Sequence, residues 1–560
     1  MAGLLVILYA ASLLLWDLHA GRALTLHEVF AAQPAREMVQ GRHWIVPKFL
    51  GVPRTNKPPT MSWLIAASMK LLGGESEVAA RLPAALSGVL TAWLIALLAG
   101  RWYGSRIGLL TGLFQATTVY TLTQARLAEA DMPMCAAVTA AFVTFAVTVL
   151  PRSRFGGEFP TLSPGAFLLR AVLFHAFVGI AFLLKGPVGP LFVFMACLPC
   201  AVVAWRRWQQ RAPLWLLLHP AGLVVLAAFV TVWPVSAYLA YPPILASWKS
   251  QTLGRVAGDL GGREPFLFYA YTLPWMVLPA FLFLPCALRR IRVQRCLLRP
   301  VTLFLLLWVA GGFVLLQATA FKHKHYMIPL LPPISIAAAI GVSKWMTWRR
   351  RGRGGNRPRT LLGPVLAGVL GAASVMGAQW FVPQDLRLAA QVMALLFFLL
   401  LGAALWLEAR GKMRAPLACF FAAVWIVDVI SVSVFVPRFD TYSIQSEFAS
   451  QALQRLASTE PAAADRLPLH LYALGESQIA FYLPLDTRRV DKPASLLDAL
   501  QGRTEKNPIY FITQAKAVAA LTAGTNLVRV EELDRAEPRR KGKDQSRLVL
   551  VKAWLESAKP

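Results

Sequence analysis

The chain has 560 residues, of which 57% are hydrophobic and only 15% are charged. Soluble domains carry about 25% charged residues, so this composition excludes an ordinary soluble protein and predicts a polytopic membrane protein. The net charge of +29 does not indicate a nucleic-acid partner, because the basic residues cluster in every second connection between apolar runs.

Apolar runs of about 18 residues or more can cross the hydrocarbon layer, and about thirteen such runs are predicted. Their centres fall near residues 10, 90, 115, 140, 177, 195, 226, 276, 308, 335, 370, 397 and 426. Arginine and lysine cluster in alternate connections, such as residues 206–211, 289–299 and 344–359. The positive-inside rule places these connections and the N-terminus in the cytoplasm, and the C-terminal tail outside.

The composition changes near residue 438, where apolar runs shorten to strand length. We expect residues 1–437 to form a transmembrane helical domain, including a first extracytoplasmic loop over residues 21–80, and residues 438–560 to form a periplasmic α/β domain. The segments LPLHLYAL, NPIYFIT, NLVRVEEL and RLVLVKAW are typical of strands. Between them, SQIAFYL, PASLLDALQG and AKAVAALTAG are typical of helices, whereas residues 537–546 are expected to form a solvated hairpin or loop.

Two carboxylates fall on the outer face of the predicted bundle, Glu28 just after the first span and Asp131 where the fourth span begins. One of them is suited to act as general base toward an acceptor hydroxyl, while the other orients the acceptor or a metal. The alternative is that each caps a helix N-terminus and is stabilised by the helix dipole. Asp428 lies inside the last span and is a further candidate because intramembrane acids are usually functional.

Four lysines fall on the same face: Lys57 in NKPP, Lys185 in LLKGP, and Lys322 and Lys324 in FKHKHY. Such cations neutralise the charge that develops on a phosphate leaving group at the bilayer surface. Snorkelling toward lipid headgroups is the alternative explanation. His323 and His325 alternate with two of these lysines, a pattern that favours phosphate contact over metal binding.

Five motifs in chain order carry a family resemblance. The first loop fits the pattern AREMxxGxHWIVPxxxGxxxxxKPPxxxWL, and it is followed by Asp131 and by the LLKG turn at Lys185. Residues 261–279 fit GxREPFxFYxYTLPWxxLP, and residues 322–333 read KHKHYMIPLLPP. The chain thereby resembles the lipid-carrier-dependent glycosyltransferases of the GT-C superfamily. It resembles in particular the bacterial aminoarabinose transferases that modify lipid A, with the protein O-mannosyltransferases as wider kin.

The resemblance implies an enzyme of the bacterial inner membrane that takes a sugar from undecaprenyl phosphate or another polyprenyl phosphate. The sugar would pass, with inversion at the anomeric carbon, to a periplasmic-side acceptor such as lipid A, another glycolipid, a glycan or a protein. The catalytic candidates are Glu28, Asp131 and His27. The candidates for binding the donor phosphate are Lys57, Lys185, Lys322, Lys324 and Arg255.

Three positions depart from the family pattern. His27 stands where the family has an aspartate, Asn56 stands where a glutamate often precedes the lysine, and WKSQTLGR lacks the acid–histidine pair before Arg255. No cofactor is predicted with certainty: the family allows a divalent metal, but these departures argue against a metal site of the aminoarabinose type. The base is left open among His27, with an unperturbed pKa of about 6.5, Glu28 and Asp131.

Two other functions stay open at this point. One is a transporter or flippase for a lipid-linked saccharide, although transporters usually bind near the bilayer midplane within inverted repeats. The other is a catalytically altered family member, which the loss of the first-loop aspartate suggests.

The predicted topology can be tested with two single-cysteine probes in a background without reactive native cysteines. Ser446→Cys in the tail should react with a membrane-impermeant maleimide on intact spheroplasts, because the positive-inside rule places the tail outside. Gly354→Cys in the basic connection should be protected. The reverse labelling pattern would place the candidate site in the cytoplasm and would contradict the use of a periplasmic donor.

Overall fold

The computed structural model describes the chain except for residues 20–21, 42, 154–157, 258–263, 289–298, 319–321, 352–361, 413–414, 440–442, 460–468, 485, 506, 525–527, 537–546 and 556–560. The chain packs as two compact units. Unit 1 comprises Met1–Ala20, Asn56–Met61 and Arg81–Arg438. Unit 2 comprises Gly21–Thr55, Ser62–Ala80 and Phe439–Pro560.

Unit 1 is helical in its described residues. Its α-helices are Ala2–Leu14, Ser105–Thr117, Val119–Gln124, Asp131–Val149, Pro164–Lys185, Val188–Trp208, Ala212–Leu217, Pro220–Ala240, Ile244–Ala257, Phe268–Met276, Leu284–Leu288, Pro300–Gln317, Leu331–Arg351, Leu362–Phe381, Arg387–Ala409, Ala415–Ile430 and Val436–Phe439. Short 3-10 helices occupy Ala280–Phe283, Lys324–Leu330 and Gln384–Leu386, and a π-helical turn occupies Ser431–Phe435. The chain passes between the units within Thr60–Leu72 and Glu77–Tyr103.

The described residues include nine helices long and apolar enough to cross a membrane, and a tenth span if the bent pair Phe268–Met276 and Ala280–Leu288 is counted as one. This confirms the prediction of an α-helical polytopic membrane protein. Two of the thirteen predicted runs form short or broken helices in the described residues: the run near residue 10 forms Ala2–Leu14, and the run near 115 is divided between Ser105–Thr117 and Val119–Gln124. The run near 370 forms helix Leu362–Phe381.

Unit 2 combines the first loop with the tail. The loop contributes helix Leu26–Gly41 and a two-stranded antiparallel hairpin, β1 (Lys48–Phe49) and β2 (Val52–Pro53). Most of residues 21–80 therefore packs with residues 439–560 rather than with the bundle, a grouping that the sequence analysis does not anticipate.

The tail contains a five-stranded mixed sheet in the order β4-β3-β5-β7-β6. Its strands are β3 (His470–Tyr472), β4 (Arg488–Val490), β5 (Ile509–Gln514), β6 (Val528–Arg535) and β7 (Leu548–Leu555). Strands β4, β3 and β5 are parallel, whereas β7 is antiparallel to both of its neighbours. The four predicted strands coincide with β3, β5, β6 and β7.

Helices Ser443–Thr459, Pro493–Leu500 and Ala515–Gly524 and a 3-10 helix Gln478–Tyr482 complete the tail. Strand β4 and helix Ser443–Thr459 were not predicted. Apolar side chains from the strands and from Pro493–Leu500, among them Leu496, Phe511 and Val551, form the buried core. The predicted loop at residues 537–546 lies outside the described residues.

Polar contacts join the first loop to the segment after β3. Arg36 pairs with Glu75 at 2.5 Å and also donates to the carbonyl oxygens of Phe481 at 3.1 Å and Leu483 at 2.6 Å. The Leu24 N–H donates to the Tyr482 hydroxyl at 2.7 Å. Buried polar groups require partners. Here the partners of residues near the start of the chain are residues near its end, so these bonds hold the two segments together.

The guanidinium of Arg36 should contribute substantially to the stability of unit 2. We expect Arg36→Met to destabilise the unit by about 2 kcal/mol, since it removes the cation from the half-buried Glu75 carboxylate, to which Gln40 also donates, and leaves two carbonyl oxygens without the guanidinium. The measurement is the rate of tail proteolysis in the solubilised full chain, which should rise by about 30-fold at that free energy.

Arg535→Met is the matched control. Arg535 also contacts a carboxylate, that of Glu532 at 2.5 Å, but its side chain is 43% exposed whereas that of Arg36 is 16% exposed. Exposed pairs contribute under about 1 kcal/mol, so this variant should change proteolysis little. Equal effects of the two variants would contradict a special role for Arg36.

Candidate functional site

The site in unit 1 is built around the first residue of helix Asp131–Val149. Asp131 lies in the first turn, where the unpaired N–H groups and the helix dipole stabilise a negative charge. Pro133 also lies in that turn, where proline is tolerated because its missing N–H has no helical partner. The local sequence therefore starts a helix here and places a carboxylate at its entrance.

Lys185 is the last residue of helix Pro164–Lys185. The helix ends because Gly186 has a φ of +70°, a conformation that glycine adopts readily, and Pro187 follows it. The Gly186 N–H donates to the Phe182 carbonyl oxygen at 2.6 Å. A cation at a helix C-terminus is favoured by the negative end of the dipole.

Asp131 and Lys185 form a buried ion pair. The Lys185 Nζ donates to the Asp131 Oδ1, and the two side chains are only 7% and 5% exposed. The positive N-terminal dipole end stabilises the Asp131 carboxylate, and the negative C-terminal dipole end stabilises the Lys185 ammonium. The pair therefore stabilises the ends of both helices. Removing one partner would leave an uncompensated buried charge, which is strongly destabilising.

Two further nitrogen-bearing side chains act on the same carboxylate. Lys57, from the KPP motif, and the imidazole of His325 both interact electrostatically with Asp131. Lys57 is exposed, whereas His325 is partly buried. One carboxylate thus faces several nitrogen groups, an arrangement that favours a bound anion.

The 3-10 helix Lys324–Leu330 supplies an aromatic wall beside the pair. The Lys185 Nζ lies 4.6 Å from the centre of the Tyr326 ring, a cation–π distance. The His323 and His325 rings are stacked with centres 4.9 Å apart, and both contact Tyr326 edge-on. Pro329 is within this 3-10 helix, and its missing N–H disfavours an ordinary α-helical turn.

Lys322 and Lys324 lie on the same segment but have other contacts. Lys322 is buried, and its Nζ donates to the Glu264 carbonyl oxygen at 3.5 Å. The Nζ of Lys324, which is exposed, lies 5.3 Å from the Trp275 ring centre. The structure therefore brings Asp131, Lys185, Lys57 and His325 together, with these two lysines on an adjoining segment.

Glu28 and His27 lie in unit 2, in the first turn of helix Leu26–Gly41. Glu28 is fully buried and forms a capping box with Thr25. The Thr25 N–H donates to Glu28 Oε2 at 2.8 Å, and the Glu28 N–H donates to Thr25 Oγ1 at 3.3 Å. Arg22 adds an ion-pair contact at 3.7 Å. The structural alternative considered for Glu28 is therefore present, while His27 is exposed with its ring 5.6 Å from that of Phe30.

The remaining candidate, Arg255, is part of helix Ile244–Ala257, but its side chain lies outside the described residues. Across the described side chains, no three His, Cys, Asp or Glu residues are arranged to hold a metal ion. We therefore derive no step through a metal.

Two features of unit 1 were missed in the sequence. Tyr326 was overlooked although it directly follows the alternating KHKH residues, and Asp428 had no evident partner. In the structure the Asp428 carboxylate is paired with Arg126, at 2.9 Å and 2.7 Å, across 302 residues of sequence. No local signal could identify a partner so distant.

The family described as dolichyl-phosphate-mannose-protein mannosyltransferase matches residues 56–234, which include Lys57, Asp131 and Lys185. The chain is 28% identical over 316 residues to an undecaprenyl phosphate-alpha-4-amino-4-deoxy-L-arabinose arabinosyl transferase from Aeromonas salmonicida, covering 55% of this chain and 54% of that protein. It is 27% identical to the protein of the same name from Pseudomonas savastanoi, with 55% of each covered. The chain thus spans about half the length of these relatives.

The structure is similar over the whole chain to ArnT from Cupriavidus metallidurans bound to undecaprenyl phosphate. The TM-score is 0.75 and the identity is 18%, with 100% of this chain and 99% of that chain covered. This likeness shows a shared fold. In sequence and in fold the chain resembles the undecaprenyl phosphate-aminoarabinose arabinosyl transferases, which confirms the resemblance predicted from the motifs.

Paired substitutions can separate a catalytic from a capping role for Glu28. Glutamine also serves in a capping box, so Glu28→Gln should retain the helix while removing the charge. If Glu28 acts in proton transfer, sugar transfer should fall by about 10²–10⁴-fold. Thr25→Ala removes the other half of the box, weakens the helix start by about 1 kcal/mol, and should leave most of the turnover. Transfer that survives Glu28→Gln but falls in Thr25→Ala would assign Glu28 to capping alone.

Proposed function

We propose that the chain is an integral membrane glycosyltransferase that moves a sugar from a polyprenyl phosphate to an acceptor on the periplasmic side. The observation that carries this proposal is the buried Asp131–Lys185 pair with Lys57 and His325 around it. A glycosyl phosphate needs cations at its phosphate and a carboxylate near the attacking oxygen, and this site offers both.

The reaction is a single displacement with inversion. The acceptor oxygen attacks the anomeric carbon, its proton passes to a carboxylate, and the bond from that carbon to the phosphate oxygen breaks. The leaving lipid phosphate takes the electron pair of that bond. Lys57 and Lys185 stabilise the resulting charge, and Lys322, Lys324 and Arg255 are proposed to extend the phosphate site.

Asp131 is the proposed catalytic carboxylate of unit 1, and its ion pair with Lys185 keeps it ionised and therefore able to accept a proton. Glu28 and His27 remain proposed contributors from the first loop. A lysine ammonium donates hydrogen bonds and can contact the phosphate leaving group, whereas a carboxylate accepts them and can contact the acceptor hydroxyl. The Asp131–Lys185 pair can therefore serve both substrates.

The donor is proposed to be undecaprenyl-phosphate-linked and the location the bacterial inner membrane. The names of the relatives from Aeromonas and Pseudomonas support the donor, and the helices long and apolar enough to cross a membrane support the location. The alternation of basic connections supports a cytoplasmic N-terminus and a periplasmic tail. The acceptor is proposed to be lipid A or another glycolipid, glycan or protein that exposes a nucleophilic oxygen on that side.

The test is transfer by the purified full chain in proteoliposomes that contain a radiolabelled undecaprenyl-phosphate sugar and an outer-leaflet glycolipid acceptor. We expect label in the acceptor and no transfer from a water-soluble sugar nucleotide. Movement of the intact labelled lipid between leaflets, with no covalent transfer, would instead indicate a flippase and would contradict the proposal.

The same assay tests the residue roles. Asp131→Asn should abolish transfer, and Lys57→Met or Lys185→Met should weaken donor affinity or turnover far more than Lys344→Ala. Lys344 is a suitable control because, like Lys57, it is an exposed lysine, and its Nζ donates to the Ala287 carbonyl oxygen at 2.6 Å, but it lies in a predicted cytoplasmic connection. Equal effects of inner and outer lysines would indicate general membrane anchoring rather than phosphate binding.

A further inference from the structure

The segment that leads into Asp131 is an irregular turn over residues 125–130, between helices Val119–Gln124 and Asp131–Val149. Its own backbone bonds are partly long: the N–H groups of Arg126 and Leu127 reach the carbonyl oxygens of Thr123 and Gln124 at 3.4 Å each. Bonds of this length contribute little. Two shorter bonds, from the Ala125 N–H to the Thr121 carbonyl oxygen at 2.9 Å and from the Glu129 N–H to that of Leu127 at 2.7 Å, are also local to the turn. Contacts that the side chains make with other helices therefore fix its position in the bundle.

Arg126 makes the dominant contact of this kind. Its guanidinium bonds both oxygens of Asp428, Nη1 to Oδ1 at 2.9 Å and Nη2 to Oδ2 at 2.7 Å, and Nη2 also donates to the Leu13 carbonyl oxygen. The side chains of Arg126 and Asp428 are 11% and 8% exposed. A two-pronged guanidinium–carboxylate pair fixes orientation as well as distance.

The two helices that receive Arg126 are themselves joined. Tyr9 donates to the Phe421 carbonyl oxygen at 2.8 Å, and Trp16 donates to the Ser433 hydroxyl at 2.9 Å. Ser433 lies in the π-helical turn Ser431–Phe435, a kind of irregularity frequent at functional sites. Arg126 thus attaches the turn to a fixed helix pair rather than to a single mobile side chain.

Gly88 shows independently how closely the turn packs against the helix that contains this glycine. A Cβ atom built at Gly88 would lie 2.9 Å from the Ala125 Cβ and 2.7 Å from the Leu14 Cδ1. The Leu14 contact can relax by side-chain rotation, but the Ala125 Cβ is attached to the backbone of the turn. A methyl group at position 88 would therefore displace the turn itself.

We propose that the Arg126–Asp428 pair is a positioning device for Asp131, holding the turn 125–130 so that the carboxylate meets Lys185 in the geometry for transfer. This inference rests on the proposed function for its effect on turnover, although the structural effect on the turn does not. Arg126 and Asp428 touch no reacting atom in this scheme; they act through the turn.

A double variant, Arg126→Met with Asp428→Leu, distinguishes positioning from plain stability. Replacing a buried ion pair with apolar residues of similar volume is often neutral or stabilising. If the pair only stabilised the bundle, the variant should fold and turn over normally. If it positions Asp131, kcat should fall by about 10²-fold while KM for the polyprenyl donor stays within about twofold, as for a small misplacement of a catalytic group.

Hydrogen exchange gives a second readout that does not require activity. In the solubilised full chain, amides of residues 125–134 should exchange at least about tenfold faster in the double variant, with the other spans unchanged. Gly88→Ala should reproduce the loss of kcat with the ion pair intact. Gly371→Ala is its control, because a Cβ there would meet Phe398 at 2.8 Å, on a different helix pair.

Normal kcat and unchanged exchange in the double variant would overturn the proposal, and so would equal effects of the two glycine variants. If the wild-type chain transfers no sugar, the proposed function fails, and hydrogen exchange alone then decides whether the pair holds the turn.

Discussion

The organisation of unit 1 depends on keeping two opposite charges inside a membrane bundle. Asp131 begins one helix and Lys185 ends the next long one, so the two helices run antiparallel and bring a positive and a negative dipole end together. Each charge is then stabilised by its own helix end and by its partner. A buried pair adds little net stability compared with apolar packing. Its presence at the helix ends is better explained by the chemistry that it makes available.

The same constraint explains the cationic excess around Asp131. A single buried carboxylate needs one cationic partner, yet Lys185 and Lys57 both act on it, with Lys322 and Lys324 on the neighbouring segment. Positive charge beyond what the carboxylate requires is unfavourable, because like charges at short range disfavour the charged form of each group. A phosphate arriving on its lipid carrier would compensate that charge, so the electrostatics of the site favour an anionic donor.

The sequence was informative where a signal is local and uninformative where it is distant. Asp131, Lys185 and the strands β5 and β7 were identified because a helix boundary or an apolar run marks each of them. The partner of Asp428 could not be identified, since Arg126 is 302 residues away. Strand β4 was missed because its residues, Arg488–Val490, are mostly charged and form an edge. The capping box of Glu28 is a local signal, because Thr25 lies three residues before it at the start of the helix.

Unit 2 imposes an order on folding. Arg36 and Leu24 find their partners in residues 481–483, and the interior strand β7 ends at Leu555. The first loop therefore cannot complete its polar contacts until nearly the whole chain has been made. Contacts of such sequence separation form slowly, because chain entropy is lost before they are gained. The two capping-box hydrogen bonds between Thr25 and Glu28 are local, so helix Leu26–Gly41 can form them before the tail has folded. A helix start that needs no distant partner allows this helix to be present when the tail arrives.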